Sequence, residues 1–329
     1  MFEHVPVHLR HQYSLYDRKG KLGVTTNKCN LPHKTVAIDG FGNCMVCECD
    51  GWLPISVCNI TEVDRLEQIW QTPRAKLIQG SVDKGKFTWC SVNSCGILKG
   101  DKIKETHYVS INIDDSCNLA CPSCRKSKVN RTNGDDFDSR RKLVMQLLDL
   151  INKFDLPIEI MMSGNGDPFA SLIYRPLLLE MLPKENINIR FLTNGLLLKK
   201  LMPKMKVKES IKHLDISIDA GDRETYEKVR LGGKWETLIE NLDYVKHNMN
   251  CEVTLKFVLQ RDNLDSIDNF VTLVERYKFR GNIIPIEDWY TMTDFAEHDI
   301  LHPKHPLHET AKAKLAKHRK NPLLFFHSI

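Results

Sequence analysis

Three cysteines lie close together in the segment CNLACPSC, directly after the strand-like run HYVSINI. Cys117, Cys121 and Cys124 have the spacing C-x3-C-x2-C. Thiolates are soft ligands that suit zinc or an iron–sulfur cluster. A structural zinc site needs a fourth ligand, and no other cysteine or histidine follows His107 before the second predicted strand. A cubane cluster held by three cysteines instead leaves one iron open to a substrate or cofactor.

Length and composition restrict the class of protein. The chain has 329 residues, of which 42% are hydrophobic and 27% are charged, enough for about two domains with buried cores. The N-terminus lacks the apolar stretch of a secretory signal, and the chain has no uninterrupted apolar run of membrane-spanning length, so we expect no membrane association and a cytoplasmic location. Eleven cysteines in that compartment favour metal or redox chemistry over structural disulfides.

The basic residues give only weak support for nucleic-acid binding. The net charge is +5, and the only dense basic run is KAKLAKHRK at residues 312–320. Such a run is more typical of a solvated helix face than of a nucleic-acid interface, so nucleic acid is not an expected partner.

The strand and helix patterns from about residue 105 onward predict an α/β fold. Apolar, β-branched runs alternate there with longer helical patterns, which is typical of a parallel sheet covered by helices. The predicted strands are 107–113, 158–163, 187–193, 213–219, 252–259 and 282–286. Right-handed crossovers make this sheet either an open doubly wound fold or a barrel, and both place the active site at the carboxyl ends of the strands.

Short polar motifs follow these strands at the expected positions. SGNGDPF follows the second strand, TNG ends the third, and ISIDA ends the fourth. Glycine in the first motif permits close approach of the backbone, and the other two motifs supply hydrogen-bonding groups for a nucleoside. In isolation, the first motif is more typical of a connecting turn and the other two are more typical of helix caps. Their convergence with the cysteine loop favours one shared site.

These residues resemble the radical S-adenosylmethionine (SAM) superfamily over about residues 105–290. The resemblance implies a radical SAM core at 101–290, folded as a partial (β/α)6 TIM-like barrel. It also implies that Cys117, Cys121 and Cys124 hold a [4Fe–4S] cluster whose open iron binds the amino and carboxylate groups of SAM. One-electron reduction then gives a 5′-deoxyadenosyl radical, which abstracts hydrogen from a substrate.

Further site residues follow from the same resemblance. Asn165, Gly166 and Asp167 match the motif that binds the SAM amino group, with Asn165 in place of its first glycine and Asp167 in place of its glutamate. Ser217 and Asp219 match the ribose-contacting strand, and Asn194 lies in the family's TNG motif. The aromatic residue common before the third cysteine is Ser123 in this chain.

The cysteine-rich segment 29–100 resembles the auxiliary-cluster domains called SPASM and Twitch. This resemblance implies a second [4Fe–4S] cluster on Cys29, Cys47, Cys90 and Cys95, with Cys44 as the alternative to Cys47. Here the segment precedes the core rather than following it, leaving an extension at 1–28 and a tail at 291–329. A zinc-ribbon-like structural domain is the alternative interpretation.

The resemblance predicts an enzyme but not its substrate. Oxidative modification of a peptide or protein is the first interpretation, and dehydrogenation or transfer on a small molecule or sugar is the second. A low-potential donor such as flavodoxin or ferredoxin is the implied electron source. A non-catalytic iron–sulfur or zinc module that binds a partner is the alternative from a different class.

Overall fold

The computed structural model describes residues 27–47, 56–90, 100–163 and 166–326. They form two compact units. The first contains the described residues up to Asp114, together with those of Asn133–Gly164 and Met181–Asn188. The second contains those of Asp115–Thr132, Asn165–Glu180 and Ile189–Ile329.

The first unit is built on strands in the order β5-β4-β1-β2-β3. Strand β4 pairs in parallel with β1 and β5, whereas β2 pairs antiparallel with β1 and β3. The strands are β1 Thr35–Ile38, β2 Asn43–Met45, β3 Cys58–Asn59, β4 His107–Ile111 and β5 Ile158–Met162. The helices are α1 Leu31–Lys34, α2 Pro73–Asp83 and α3 Asp135–Asn152, with 3-10 turns at Ile60–Glu62 and Leu66–Gln71.

Helix α2 begins and ends later than the sequence pattern predicts, since EVDRLEQIWQTPRAKLIQ indicates a helix over residues 62–79. Thr72 caps its start by accepting a hydrogen bond from the Ala75 N–H at 3.2 Å. A glycine often ends a helix, so the pattern predicts an end at Gly80. That prediction is wrong, because the helix continues to Asp83 and the left-handed backbone needed for the exit lies at Gly85, with φ of 65°.

The second unit carries strands in the order β10-β9-β8-β7-β6, including β6 from its third residue onward. All four neighbouring pairs in this order are parallel. The strands are β6 Ile187–Thr193, β7 Ile211–Ser217, β8 Glu252–Leu259, β9 Arg280–Pro285 and β10 Leu324–Phe326. The helices are α4 Arg175–Leu179, α5 Leu198–Leu201, α6 Arg223–Val229, α7 Trp235–Asn248, α8 Ile267–Tyr277, α9 Phe295–His298 and α10 His308–His318, with 3-10 turns at Met202–Lys204, Lys208–Ser210 and Arg261–Ser266.

Strand β8 shows how this unit buries its core. Its residues alternate between buried and less buried positions, as expected where the two faces of a sheet meet different surroundings. Phe257 lies on the buried face and packs against Phe270 of α8, with 4.9 Å between ring centroids. Lys256 lies on the other face, in register with Ser217 of β7 and Asn282 of β9. One face of the strand therefore carries polar residues.

The predicted mixed α/β fold with parallel strands is confirmed. All six predicted strands are present, and β6 and β8 have the predicted bounds. The tail at 291–329 supplies α10 and β10, and β10 extends the sheet beside β9. Within the described chain, every helix is too short or too polar to span a bilayer.

Candidate metal centre

The cysteine loop lies in the second unit and is held by backbone hydrogen bonds. The Cys117 N–H donates to the Val129 carbonyl at 2.7 Å, and the Cys124 N–H donates to the Cys121 carbonyl at 2.9 Å. Cys121 is buried, Cys117 is partly buried and Cys124 is exposed, and no disulfide joins them. The loop therefore places three thiols at different depths along one short turn.

Each of the three sulfurs accepts a hydrogen bond from a different side chain. Asn194 Nδ2 lies 3.8 Å from Cys117 Sγ, Arg230 Nη1 lies 3.6 Å from Cys121 Sγ, and Arg125 Nη2 lies 3.7 Å from Cys124 Sγ. The Leu119 N–H also donates to Cys117 Sγ at 3.5 Å. Two of the three side-chain donors are cations, and a cation favours a sulfur that carries negative charge.

Arg230 is a site residue that the sequence analysis missed. It directly follows α6, and its Nε lies 3.0 Å from Asp219 Oδ2. Burial opposes its charge, but the Asp219 carboxylate and the Cys121 sulfur outweigh burial and raise the pKa of the guanidinium above its ordinary value. In sequence, an arginine at the end of RETYEKVR is indistinguishable from a solvated residue that complements a helix C-terminus.

Burial also affects the thiols. It raises the pKa of Cys117 and of Cys121, while the Leu119 N–H and the Arg230 side chain respectively act in the opposite direction. A metal binds the thiolate form, so metal binding at these positions must release protons.

Asp167 holds two strand-end segments together. Its carboxylate accepts hydrogen bonds from Thr193 Oγ1 and the Asn194 N–H, both at 2.7 Å, and from the Phe169 and Ala170 N–H groups, both at 3.0 Å. Asp167 is only 2% exposed, and burial raises its pKa while these donors limit the rise. Its four hydrogen bonds give this predicted cofactor-binding residue a clear role in positioning Asn194.

Gly166 permits a close approach between two loops. A Cβ at this position would press against the Ser116 carbonyl oxygen and lie 2.5 Å from the Asp115 carbonyl carbon. The Asp167 N–H donates to the same Ser116 carbonyl at 2.8 Å. A side chain at Gly166 would therefore push against the backbone that leads into Cys117.

The remaining predicted cofactor residues have different surroundings. Asn194 Nδ2 also donates to Asn118 Oδ1 at 2.8 Å, and Ser217 ends β7 in a partly buried position. Asp219 has a left-handed backbone with φ of 54°, and its Oδ1 accepts from the Val258 N–H at 2.8 Å. Asn165 lies outside the described residues. The structure thus brings Asp167 and Asn194 together beside Cys117, and it places Asp219 beside Arg230.

The N-terminal cysteines are only partly described. Cys29 packs against a small apolar cluster of Val82, Phe87 and Cys90, so two of the four predicted ligands lie in or against this cluster. Cys47 is buried, and Cys95 lies outside the described residues. In the described ranges, which include the three loop thiols, no group of three or more cysteine, histidine or acidic side chains is arranged to hold a metal ion. Cluster binding by the N-terminal cysteines and by the loop cysteines therefore stays a prediction.

Comparison with known proteins identifies the domain that contains the three-cysteine loop. Residues 111–274 match the family model of the radical SAM superfamily. This region is similar to that superfamily. It includes the cysteine loop, Gly166, Asn194 and Arg230. The predicted resemblance to this superfamily is confirmed for the matched region, and members of the superfamily use a [4Fe–4S] cluster and SAM.

The curated relatives are distant. The mycofactocin maturase MftC of Mycolicibacterium smegmatis is 24% identical over 166 residues, which cover 49% of this chain and 40% of that protein. The GTP 3′,8-cyclase of Peptoclostridium acidaminophilum is 26% identical over 173 residues, which cover 52% of each. The match thus spans about half the length of either relative or less.

Among solved structures, Streptococcus suis SuiB bound to S-adenosylmethionine is similar to this chain with a TM-score of 0.45 and 16% identity. The similarity covers 67% of this chain and 49% of SuiB.

The residue types in the cysteine loop fit the cluster that a radical SAM domain uses. Three thiols on one loop provide the soft donor set, and the chain brings an N–H donor to each sulfur. A buried guanidinium directed at the most buried thiol is the arrangement expected for a sulfur that is ionised in the working protein.

Proposed function

We propose that this chain is a radical SAM enzyme that cleaves SAM at a [4Fe–4S] cluster held by Cys117, Cys121 and Cys124. When bound, the cluster would supply one electron to SAM. The sulfonium bond of SAM would then break to give methionine and a 5′-deoxyadenosyl radical, which abstracts hydrogen from the substrate. The observation that carries the proposal is the set of three loop thiols, each with a hydrogen-bond donor from a separate side chain.

The parallel strands support a partial (β/α)6 barrel as the scaffold of this site. In that arrangement Ser217 and Asn194 lie at the carboxyl ends of β7 and β6, where ligands of α/β folds bind. Gly166 and Asp167 set the position of the adjoining loops. Asn165, Gly166, Asp167, Asn194, Ser217 and Asp219 remain the proposed cofactor-binding set.

For the substrate, we propose oxidative modification of a peptide or protein. The similarity to a maturase supports this choice, although the shared region covers only 40% of that relative. A small molecule is the second candidate, and the similarity to a GTP cyclase supports it to a comparable extent. The two candidates predict different substrates for the same radical chemistry.

We further propose a SPASM- or Twitch-like auxiliary [4Fe–4S] cluster on Cys29, Cys47, Cys90 and Cys95. The contact of Cys29 with the cluster that contains Cys90 supports this ligand set. Four cysteine ligands leave no open iron, which favours electron relay over substrate anchoring. A low-potential flavodoxin or ferredoxin would then serve as the electron donor.

The test is anaerobic formation of 5′-deoxyadenosine from SAM and a strong reductant, measured by mass spectrometry. The reconstituted wild type should form the product, and Cys121→Ala should not. Cys251→Ala is the matched control, because Cys251 directly precedes β8 and so lies at the amino end of that strand. A wild type that carries a full cluster yet forms no product would contradict the proposal and favour a non-catalytic binding module.

A further inference from the structure

The three donors at the cysteine sulfurs differ in charge and in exposure. Asn194 is neutral, and Arg125 donates to Cys124 in an exposed contact. Arg230 is a cation whose side chain is only 11% exposed. A charge acts more strongly where water is excluded, so Arg230 has the largest electrostatic effect of the three.

Arg230 is fixed in place by contacts on two sides. Its Nε faces Asp219 Oδ2 at 3.0 Å, while its Nη1 donates to Cys121 Sγ at 3.6 Å. Its Nε makes no hydrogen bond within the described residues, so its pairing with Asp219 is ionic. The next residue, Leu231, accepts a hydrogen bond from the Ala120 N–H at 3.0 Å. The segment that carries Arg230 is therefore attached directly to the cysteine loop.

We propose that Arg230 is a positioning residue that sets the reduction potential of the cluster through its hydrogen bond to Cys121. The inference rests on the proposed function, because it assumes that the loop holds the cluster. Hydrogen bonds to ligand sulfurs and nearby charge are the means by which a protein adjusts such a potential. Here the chain uses a buried guanidinium for that purpose.

The direction of the effect follows from charge. Reduction adds one electron to the cluster, and a nearby cation stabilises the reduced form more than the oxidised form. Removing the Arg230 charge should therefore make the potential more negative. Asp219 has the opposite charge beside the same guanidinium, so removing its charge should make the potential less negative.

The test compares Arg230→Gln with Arg125→Gln, which removes the same charge from the exposed contact. Each protein is reconstituted anaerobically, its iron and sulfide content is measured, and the cluster is titrated with electron paramagnetic resonance detection in the absence of SAM. We expect Arg230→Gln to lower the ratio of reduced to oxidised cluster at a given potential by about tenfold, a shift of about 59 mV for one electron. Arg125→Gln should shift the reduction potential of the cluster by less.

Two further variants keep the test informative if Arg230→Gln takes up iron poorly. Arg230→Lys keeps the positive charge but lacks the planar guanidinium, so its reduction potential should lie between those of Arg230→Gln and the wild type. Asp219→Asn should shift the potential in the opposite direction to Arg230→Gln. Equal potentials in the wild type and in the fully loaded Arg230→Gln protein would overturn the inference but leave the proposed function intact. A wild type that takes up no cluster would overturn both.

Discussion

Cys44 and Cys58 lie directly opposite each other on the antiparallel strands β2 and β3. Their thiols hydrogen-bond, and this contact together with burial raises the pKa of Cys44 while the same contact lowers that of Cys58. Cys44 is the predicted alternative to Cys47 as a ligand of the auxiliary cluster. Cys44 thus lies against Cys58, and the proposed ligand set keeps Cys47.

The first prediction separates these two cysteines by iron content. Cys47→Ala should lose about four irons of the roughly eight that two cubane clusters contain. Cys44→Ala should keep the full content, because it removes a thiol that pairs with Cys58 instead. Iron and acid-labile sulfide analysis after anaerobic reconstitution measures both. Loss of iron in Cys44→Ala with full retention in Cys47→Ala would reverse the assignment.

The second prediction concerns Gly166. A methyl group there would press against the Ser116 carbonyl, so Gly166→Ala should destabilise the metal-free protein by about 1–3 kcal/mol, the usual cost of overpacking. Urea denaturation measures this cost. Because the same backbone leads into Cys117, iron uptake should fall as well.

Gly80→Ala is the matched control for Gly166→Ala. Gly80 lies within α2, and a Cβ there has no neighbour within 4 Å. The substitution should stabilise the protein by up to about 1 kcal/mol through helix propensity, with no effect on iron uptake. Equal stability of Gly166→Ala and the wild type would show that the two loops are less closely packed than the structure indicates.

How well the sequence predicts a feature of this structure depends on how far apart in the chain its interacting residues lie. Strand β8 is predictable because its alternating pattern depends on residues close together in the chain. The cysteine loop is recognisable because its three cysteines lie within eight residues. Strand β10 was missed, since a three-residue strand is defined mainly by its pairing with β9.

Arg230 illustrates why part of the site cannot be predicted from sequence alone. Its contact with Cys121 joins residues 109 positions apart, and nothing in the local pattern distinguishes a buried arginine from an exposed one. Asp167 was found as a motif residue, but its four hydrogen bonds depend on how β6 ends beside it. Motifs identify residue types, whereas partners depend on tertiary packing.

The third prediction tests the role of Asp167. Asp167→Asn replaces an acceptor of four hydrogen bonds by an amide that brings its own N–H donors into a site already occupied by donors. We expect the substitution to lower the free energy of unfolding by about 1.5–3 kcal/mol, the usual range for one hydrogen bond to a charged group. Urea denaturation of the metal-free protein measures it.

Thr193→Val provides the comparison for Asp167→Asn. It removes the hydroxyl donor to Asp167, together with the acceptor of the Gly195 N–H at 3.1 Å, and keeps a β-branched side chain. Its cost should be smaller, and the double variant should cost less than the sum of the two single variants, because they share one interaction. Additive costs would mean that Thr193 and Asp167 act independently.

The fourth prediction concerns pH and the residue that caps α6, the helix that ends before Arg230. Asp222 accepts a hydrogen bond from the Thr225 N–H at 2.9 Å and also bonds Ser266 and Asn269. Partial burial opposes the charge of Asp222, but these hydrogen bonds outweigh it and lower the pKa of its carboxyl. The folded-state pKa thus lies below the unfolded-state value of about 3.9.

The lowered folded-state pKa of Asp222 determines the pH range over which its carboxyl stabilises the protein. A carboxyl with a lowered folded-state pKa stabilises the protein above its unfolded-state pKa, and that stabilisation is lost as the pH falls through the folded-state value. Asp222→Asn keeps an effective helix cap but cannot titrate. We therefore expect the wild type to lose its advantage over Asp222→Asn as the pH falls below about 4.

Urea denaturation of both proteins between neutral and acid pH measures this difference. Ser266→Ala removes one of the donors that lower the pKa of Asp222, so it should show a weaker pH dependence than the wild type and a stronger one than Asp222→Asn. A constant difference in unfolding free energy between wild type and Asp222→Asn across the acid range would mean that the carboxyl has the same pKa in both states. The cap of α6 would then not depend on the charge of Asp222.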